Sequence, residues 1–143
     1  MRLIETATDI QASAARIWSI LTDFPAYPAW NPFITAAERE LRLGARLEIT
    51  IALPGHRRMT FRPVVLVVER ERELRWRGRM LIPRLFDGEH AFGLEQRAET
   101  CRFLHAERFA GMLLPFLGEE LFEAIRRGFE SMNAALKLRA ETS

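Results

Sequence analysis

Asp23-Phe24-Pro25-Ala26-Tyr27-Pro28-Ala29-Trp30-Asn31-Pro32-Phe33 is the stretch whose reading decides the fold of this chain. Three prolines in eight positions work against a regular helix or strand, because each fixes φ, removes a backbone donor and pushes its predecessor towards extended geometry. The same stretch carries four aromatic residues, which a solvated loop would not hold. It reads as a compact plug whose rings pack against a large apolar surface.

The chain's 143 residues, plug included, suit one domain, 1–143, long enough to bury roughly 68–70% of the surface its unfolded form exposes. Apolar residues at 48% and charged ones at 28% are those of a globular protein and argue against disorder. A single cysteine, Cys101, can form neither an internal disulfide nor a cysteine-rich zinc site, so nothing calls for an oxidising compartment. The N-terminus lacks a signal-like apolar run, and no stretch approaches the ~18 apolar residues of a membrane span. A cytoplasmic protein without integral membrane association is expected. Among 21 basic residues only Lys137 is a lysine, while the net charge stays at +2.

Upstream of the plug, residues 3 to 8 form a first strand, and Ala12 to Thr22 carry Ile17, Trp18, Ile20 and Leu21 at helical spacing behind a Ser13 cap. Downstream, Ile34 to Glu40 reads as a strand. Leu47, Ile49, Ile51 and Leu53 alternate with Glu48 and Thr50 in a half-buried one. Met59 to Glu69 and Leu74 to Met80 form a hairpin, with Pro63 marking an edge or bulge that leaves the inward face of 64–68 open. A last hairpin pairs Gly88 to Gln96 with Thr100 to Phe109. From Pro115 onwards Leu117, Leu121, Ile125, Phe129, Met132 and Leu136 mark one face of a long helix. An antiparallel sheet with one dry face and one helix long enough to cross it must meet on that face. Gly128, in the middle of that helix, costs ~1 kcal/mol relative to alanine, so either the sheet or a ligand approaches the backbone closely there or the residue is merely tolerated on the helix flank.

In wording and position, Tyr27-Pro28-Ala29-Trp30-Asn31-Pro32 resembles the helix-turn segment of the polyketide cyclase and START-like proteins, the SRPBCC superfamily. The order of elements matches the family over essentially the whole chain. The resemblance implies an α+β helix-grip fold: a curved antiparallel seven-stranded sheet wrapped around a long C-terminal helix, with two short helices near the N-terminus. It also implies a deep apolar cavity between sheet and helix.

Two histidines and a carboxylate share the dry face. His90, Phe92, Leu94 and Gln96 have one parity in the sixth strand, and Cys101, Phe103, His105, Glu107 and Phe109 have one in the seventh. An even-numbered loop around Arg97 to Thr100 would make paired positions sum to 197, placing His90 opposite Glu107 and Phe92 opposite His105. Polar groups aimed into an apolar interior need partners. Four accounts fit: a structural network, anchors for the polar end of a ligand, general acid-base catalysis, or a two-histidine one-carboxylate metal site. The resemblance implies neither metal nor cofactor. His90, His105 and Glu107 are the catalytic candidates. Trp30, Trp76, His90, Phe92, Phe103, His105, Glu107 and Phe129 are the candidate ligand contacts.

The outward stripe Arg75, Arg77, Arg79 is diluted by Glu69, Glu71 and Glu73 and reads as a solvated face, so no nucleic-acid partner is expected. The expected partner is a small hydrophobic or amphipathic molecule entering near the plug or the apolar loop from Leu81 to Asp87, which would serve as a lid. The alternatives are a cyclase or dehydratase using the cavity His and Glu groups, or a protein-interaction module built on the loop Leu81 to Phe86. The pattern sets neither the ligand nor the oligomeric state.

Overall fold

A computed structural model describes residues 1–80 and 86–142. Among these residues eight strands and three α-helices follow in the order β1 (Arg2–Ile10), α1 (Ala14–Thr22), α2 (Tyr27–Trp30), β2 (Ile34–Glu38), β3 (Glu48–Ile51), β4 (Met59–Phe61), β5 (Val64–Glu69), β6 (Glu73–Met80), β7 (Phe86–Gln96), β8 (Cys101–Ala110) and α3 (Glu119–Glu141). All pairings are antiparallel: β1-β8-β7-β6-β5 form one sheet and β2-β3-β4 a second.

The arm expected as one strand, Met59 to Glu69, is divided at Pro63 into β4 and β5, which is why eight strands stand where seven were anticipated. Proline has no N–H for the ladder, but its carbonyl still accepts from Leu47 N at 2.9 Å. Gly44 N–Val65 O and Val65 N–Ala45 O bonds, each 2.9 Å, and the bridge Arg46–Val64 carry the pairing across the break. The result is a curved antiparallel surface whose two sheets meet at a break in the fourth expected arm. A second irregularity between Val65 and Val67 settles the open question of the inward face: within 64–68 only Val65 is fully buried.

The plug is more helical than its prolines suggested. Phe24–Ala26 form a 3₁₀ turn and Tyr27–Trp30 one turn of α-helix. Pro25 and Pro28 sit in first turns, where a missing N–H costs nothing. Its packing is as expected: Tyr27 is fully buried, meets Phe24 and Trp30 edge-on at 5.4 and 5.3 Å, and donates its hydroxyl to Leu21 O at 2.6 Å. Asn31 closes the turn, its Oδ1 accepting from Phe33 N and Ile34 N at 3.0 and 2.9 Å.

Ser13 caps α1 by accepting from Arg16 N at 3.1 Å. α3 begins later than the sequence pattern implied, because Pro115 lies in a separate 3₁₀ turn, Leu114–Phe116, and Gly118 is the N-cap. The far end of α3 is pinned. Arg16 donates from Nε to Ala140 O at 2.8 Å and from Nη2 to Thr142 O at 2.8 Å, placing a cation on the negative end of the helix. Lys137 Nζ reaches Asp9 O at 2.9 Å, tying the same end to β1. No helix of the described residues is long and apolar enough to cross a membrane.

Candidate functional site

The β7–β8 hairpin closes through Arg97 N–Thr100 O at 2.8 Å, and the ladder runs in the anticipated register, with His90 opposite Glu107 and Phe92 opposite His105. Alternate residues Phe86, Gly88, His90, Phe92 and Leu94 are buried on β7, as are Cys101, Phe103, His105 and Phe109 on β8. Glu107 has the same parity, with 16% of its side chain exposed.

The polar groups form a chain. Glu107 Oε1 lies 3.3 Å from His90 Nδ1, His90 Nε2 lies 2.8 Å from His105 Nε2, and His105 Nδ1 lies 2.8 Å from Asn133 Oδ1 on α3. Asn133 Nδ2 donates to Thr6 Oγ1 at 2.9 Å, and Thr6 donates to His105 O at 2.9 Å. The protons follow from the Thr6 end. The Thr6 hydroxyl spends its hydrogen on the carbonyl and accepts from the amide. Asn133 Oδ1 must then accept from His105 Nδ1–H, and the bare His105 Nε2 accepts from His90 Nε2–H.

His105 is neutral in this arrangement. Burial holds its pKa well below the ordinary imidazole value, the adjacent His90 pushes it the same way, and the Asn133 bond opposes both. With His90 Nε2 already donating, the His90–Glu107 contact requires one further proton between Nδ1 and Oε1. Rings clamp the chain: His105 stacks on Phe129 at 3.9 Å and 10°, and His90 stacks on Trp76 at 5.3 Å and 18°. The side-chain atoms of His90, His105 and Glu107 bond one another in line, and among the described residues no three His, Cys, Asp or Glu groups converge on a metal-sized point.

Above His90 and Glu107 lies a cavity of about 70 Å³ between β3, β4, β6–β8 and the first half of α3. Ile49, Met59, Phe61, Trp76, Leu121 and Ile125 supply much of its apolar wall. His90 and Glu107 are the only ionisable side chains among its described lining residues.

A family profile described as polyketide cyclase / dehydrase and lipid transport matches residues 1–141. The chain belongs to this family. No curated protein sequence matches it significantly. Among solved structures, a START superfamily protein from Mycobacterium smegmatis superposes with a TM-score of 0.77 at 21% identity, covering 97% of each chain. The Zhui aromatase/cyclase of a Streptomyces species gives 0.74 at 17% identity, over 98% of this chain and 93% of its own. The di-domain ARO/CYC StfQ of the steffimycin biosynthetic pathway gives 0.77 at 14% identity, over 97% of this chain and 50% of its own. These likenesses establish the helix-grip fold.

Within this member of the polyketide cyclase family, three of the eight candidate contacts, Trp76, His90 and Glu107, line the cavity. Phe92, Phe103, His105 and Phe129 lie beneath its floor, each no more than 1% exposed, because the innermost space between sheet and helix is filled by their stacked rings. Trp30 faces a different groove, shared with Ile20 of α1 and Ala135 and Leu138 of α3. The wall instead uses Phe33, the last ring of the plug. Gly128 explains its seat: a Cβ there would lie 2.5 Å from Phe33 Cδ1 and 3.3 Å from Leu53 Cδ2. The glycine serves close packing.

Asn133 and Thr6 escaped the sequence reading. Asn133 sits four residues after Phe129 and three before Leu136, a polar residue on the apolar stripe, and that was the available signal. Of the expected lid, Leu81 to Leu85 lie outside the described residues. Phe86, placed in that loop by the sequence reading, is the first residue of β7, is buried and lines the cavity.

Proposed function

We propose that this protein binds a small hydrophobic or amphipathic molecule in the cavity between the curved sheet and α3, with His90 and Glu107 orienting its polar end. The observation that carries this reading is an apolar cavity with one hydrogen-bonded ionisable pair at its base, braced from behind by His105, Asn133 and Thr6. Such a combination of oily walls and few polar anchors is the usual chemistry of a small-molecule site. The volume is well below the roughly 300–1,000 Å³ of drug-sized sites. A larger ligand would therefore rest its polar end on the floor and extend along half-buried Ile51, Met59 and Phe61. Native mass spectrometry of protein purified from its own host, followed by extraction, tests the reading: a reproducible bound molecule supports it, and protein free of any ligand counts against it.

A second reading is a cyclase or dehydratase, favoured by the hydrogen-bonded His90–Glu107 pair at the cavity wall and by the fold shared with aromatase/cyclases. Confinement would align the reacting chain, and the pair would give and take protons. Under this reading, His90→Gln and Glu107→Gln abolish turnover of a polyketide-like substrate while sparing its uptake. Intact turnover in both variants removes them as catalytic residues.

A further inference from the structure

We infer that the cavity selects a neutral hydroxylated molecule, an alcohol or a phenol, and rejects the carboxylate of the same skeleton. The inference rests on the cavity-binding reading above and concerns the second oxygen of Glu107.

Glu107 Oε1 is engaged by His90. Oε2 receives no hydrogen bond from the described residues and lies over Gly88, where any Cβ would collide with it. Gly88 and Glu107 both line the cavity, so the missing side chain leaves this oxygen room at the wall. The proton between His90 and Glu107 has two resting places: on Nδ1, giving an imidazolium and a carboxylate, or on Oε1, giving a neutral imidazole and a carboxylic acid. In both, the hydrogen lies along the Nδ1–Oε1 line and Oε2 keeps only lone pairs. Turning the Asn133 amide over would reverse every bond in the chain, and His90 would then donate from Nδ1 to a carboxylate. Oε2 is a bare acceptor in that case too.

The vacant valence at the base of the cavity therefore asks for a donor. A hydroxyl supplies one at no cost in net charge. A ligand carboxylate would set its lone pairs against those of Glu107 in an apolar space whose described lining holds no Lys or Arg, which is expensive for both groups. An ammonium would donate, but it would bring an unbalanced charge beside a pair that is neutral overall in the observed orientation.

The test compares three probes of one shape, 4-methylphenol, toluene and 4-methylbenzoate, titrated at pH 7.5 into protein stripped of bound molecules. The phenol should bind about 10- to 100-fold more tightly than toluene, the range expected for a hydrogen bond to a charged acceptor, and the benzoate should bind most weakly. In Glu107→Gln, the ratio of phenol to toluene affinity should fall about tenfold and the benzoate should gain on the phenol. Benzoate binding as tight as phenol in the unmodified protein overturns the inference without any variant. Toluene binding with no advantage for phenol overturns it while leaving the cavity reading intact. Failure of all three probes to bind overturns both, and unchanged discrimination in a folded Glu107→Gln protein removes Glu107 as the selector.

Discussion

A histidine kept neutral inside a fold makes stability depend on pH, and His105 is such a residue. Its pKa in the native state lies well below 6.5, whereas the unfolded chain binds the proton near that value. Below pH 6.5 the unfolded state therefore holds more protons than the native one. Stability is complete above that pH and declines as pH falls towards the depressed native value, by up to about 1.4 kcal/mol per pH unit. Urea titrations at pH 7.5, 6.5 and 5.5 should show this loss, and His105→Gln should flatten the slope between 6.5 and 5.5. Equal slopes in the two proteins would remove His105 as its source. Asn133→Leu should cost on the order of 1–3 kcal/mol at pH 7.5 in the same titrations, since it strands a buried Nδ1–H. At this scale the strand residues were legible, because a period of two and one loop length fix which partners meet. Asn133 was not, because its partner lies 28 residues away on another element, and helical spacing alone does not report what a polar residue on an apolar stripe touches.

Among the elements, α3 carries the sharpest conflict between local preference and packing. Replacing Gly128 by Ala should gain up to about 1 kcal/mol of helix propensity. The new methyl would nevertheless lie 2.5 and 2.8 Å from two atoms of the buried Phe33 ring, and overpacking of this kind costs roughly 1–3 kcal/mol. Overpacking should prevail, lowering the midpoint of chemical unfolding and narrowing the cavity that Phe33 lines. A more stable Gly128→Ala protein would mean that the ring yields freely. At the other end of the helix, Arg16→Ala removes donors to the carbonyls of Ala140 and Thr142. A loss on the order of 1 kcal/mol is expected, visible as a lower Tm in a thermal melt. The sequence made the strands and α3 readable through their periodicities. It carried one strand through Pro63 and opened the long helix at Pro115, where the structure has a break and a separate 3₁₀ turn, since a proline near a strand or a helix start fits both continuation and interruption until the neighbouring pairing is known.

Across the whole molecule, the two halves of α3 are held differently. The second half is fixed by the stack of Phe129 on His105, the Asn133 bonds, Lys137 and Arg16. The first half borders the cavity through Leu121 and Ile125, and its outer end is tied to β1 by an exposed Arg2–Glu119 pair with Nη2–Oε2 at 2.8 Å. Exposed pairs of this kind contribute little. Because a cavity of about 70 Å³ is too small for most ligands without displacement, the half of α3 that borders it and the facing β3–β4 hairpin are where space should be made. Hydrogen exchange with and without saturating 4-methylphenol should therefore show altered protection in residues 119–125 and in β3 and β4, with 129–141 unchanged. A change confined to 129–141 would place the opening at the pinned end and contradict the division of α3 argued from its contacts. A uniform rise over the whole chain would instead report general stabilisation by mass action, leaving no segment singled out as the gate.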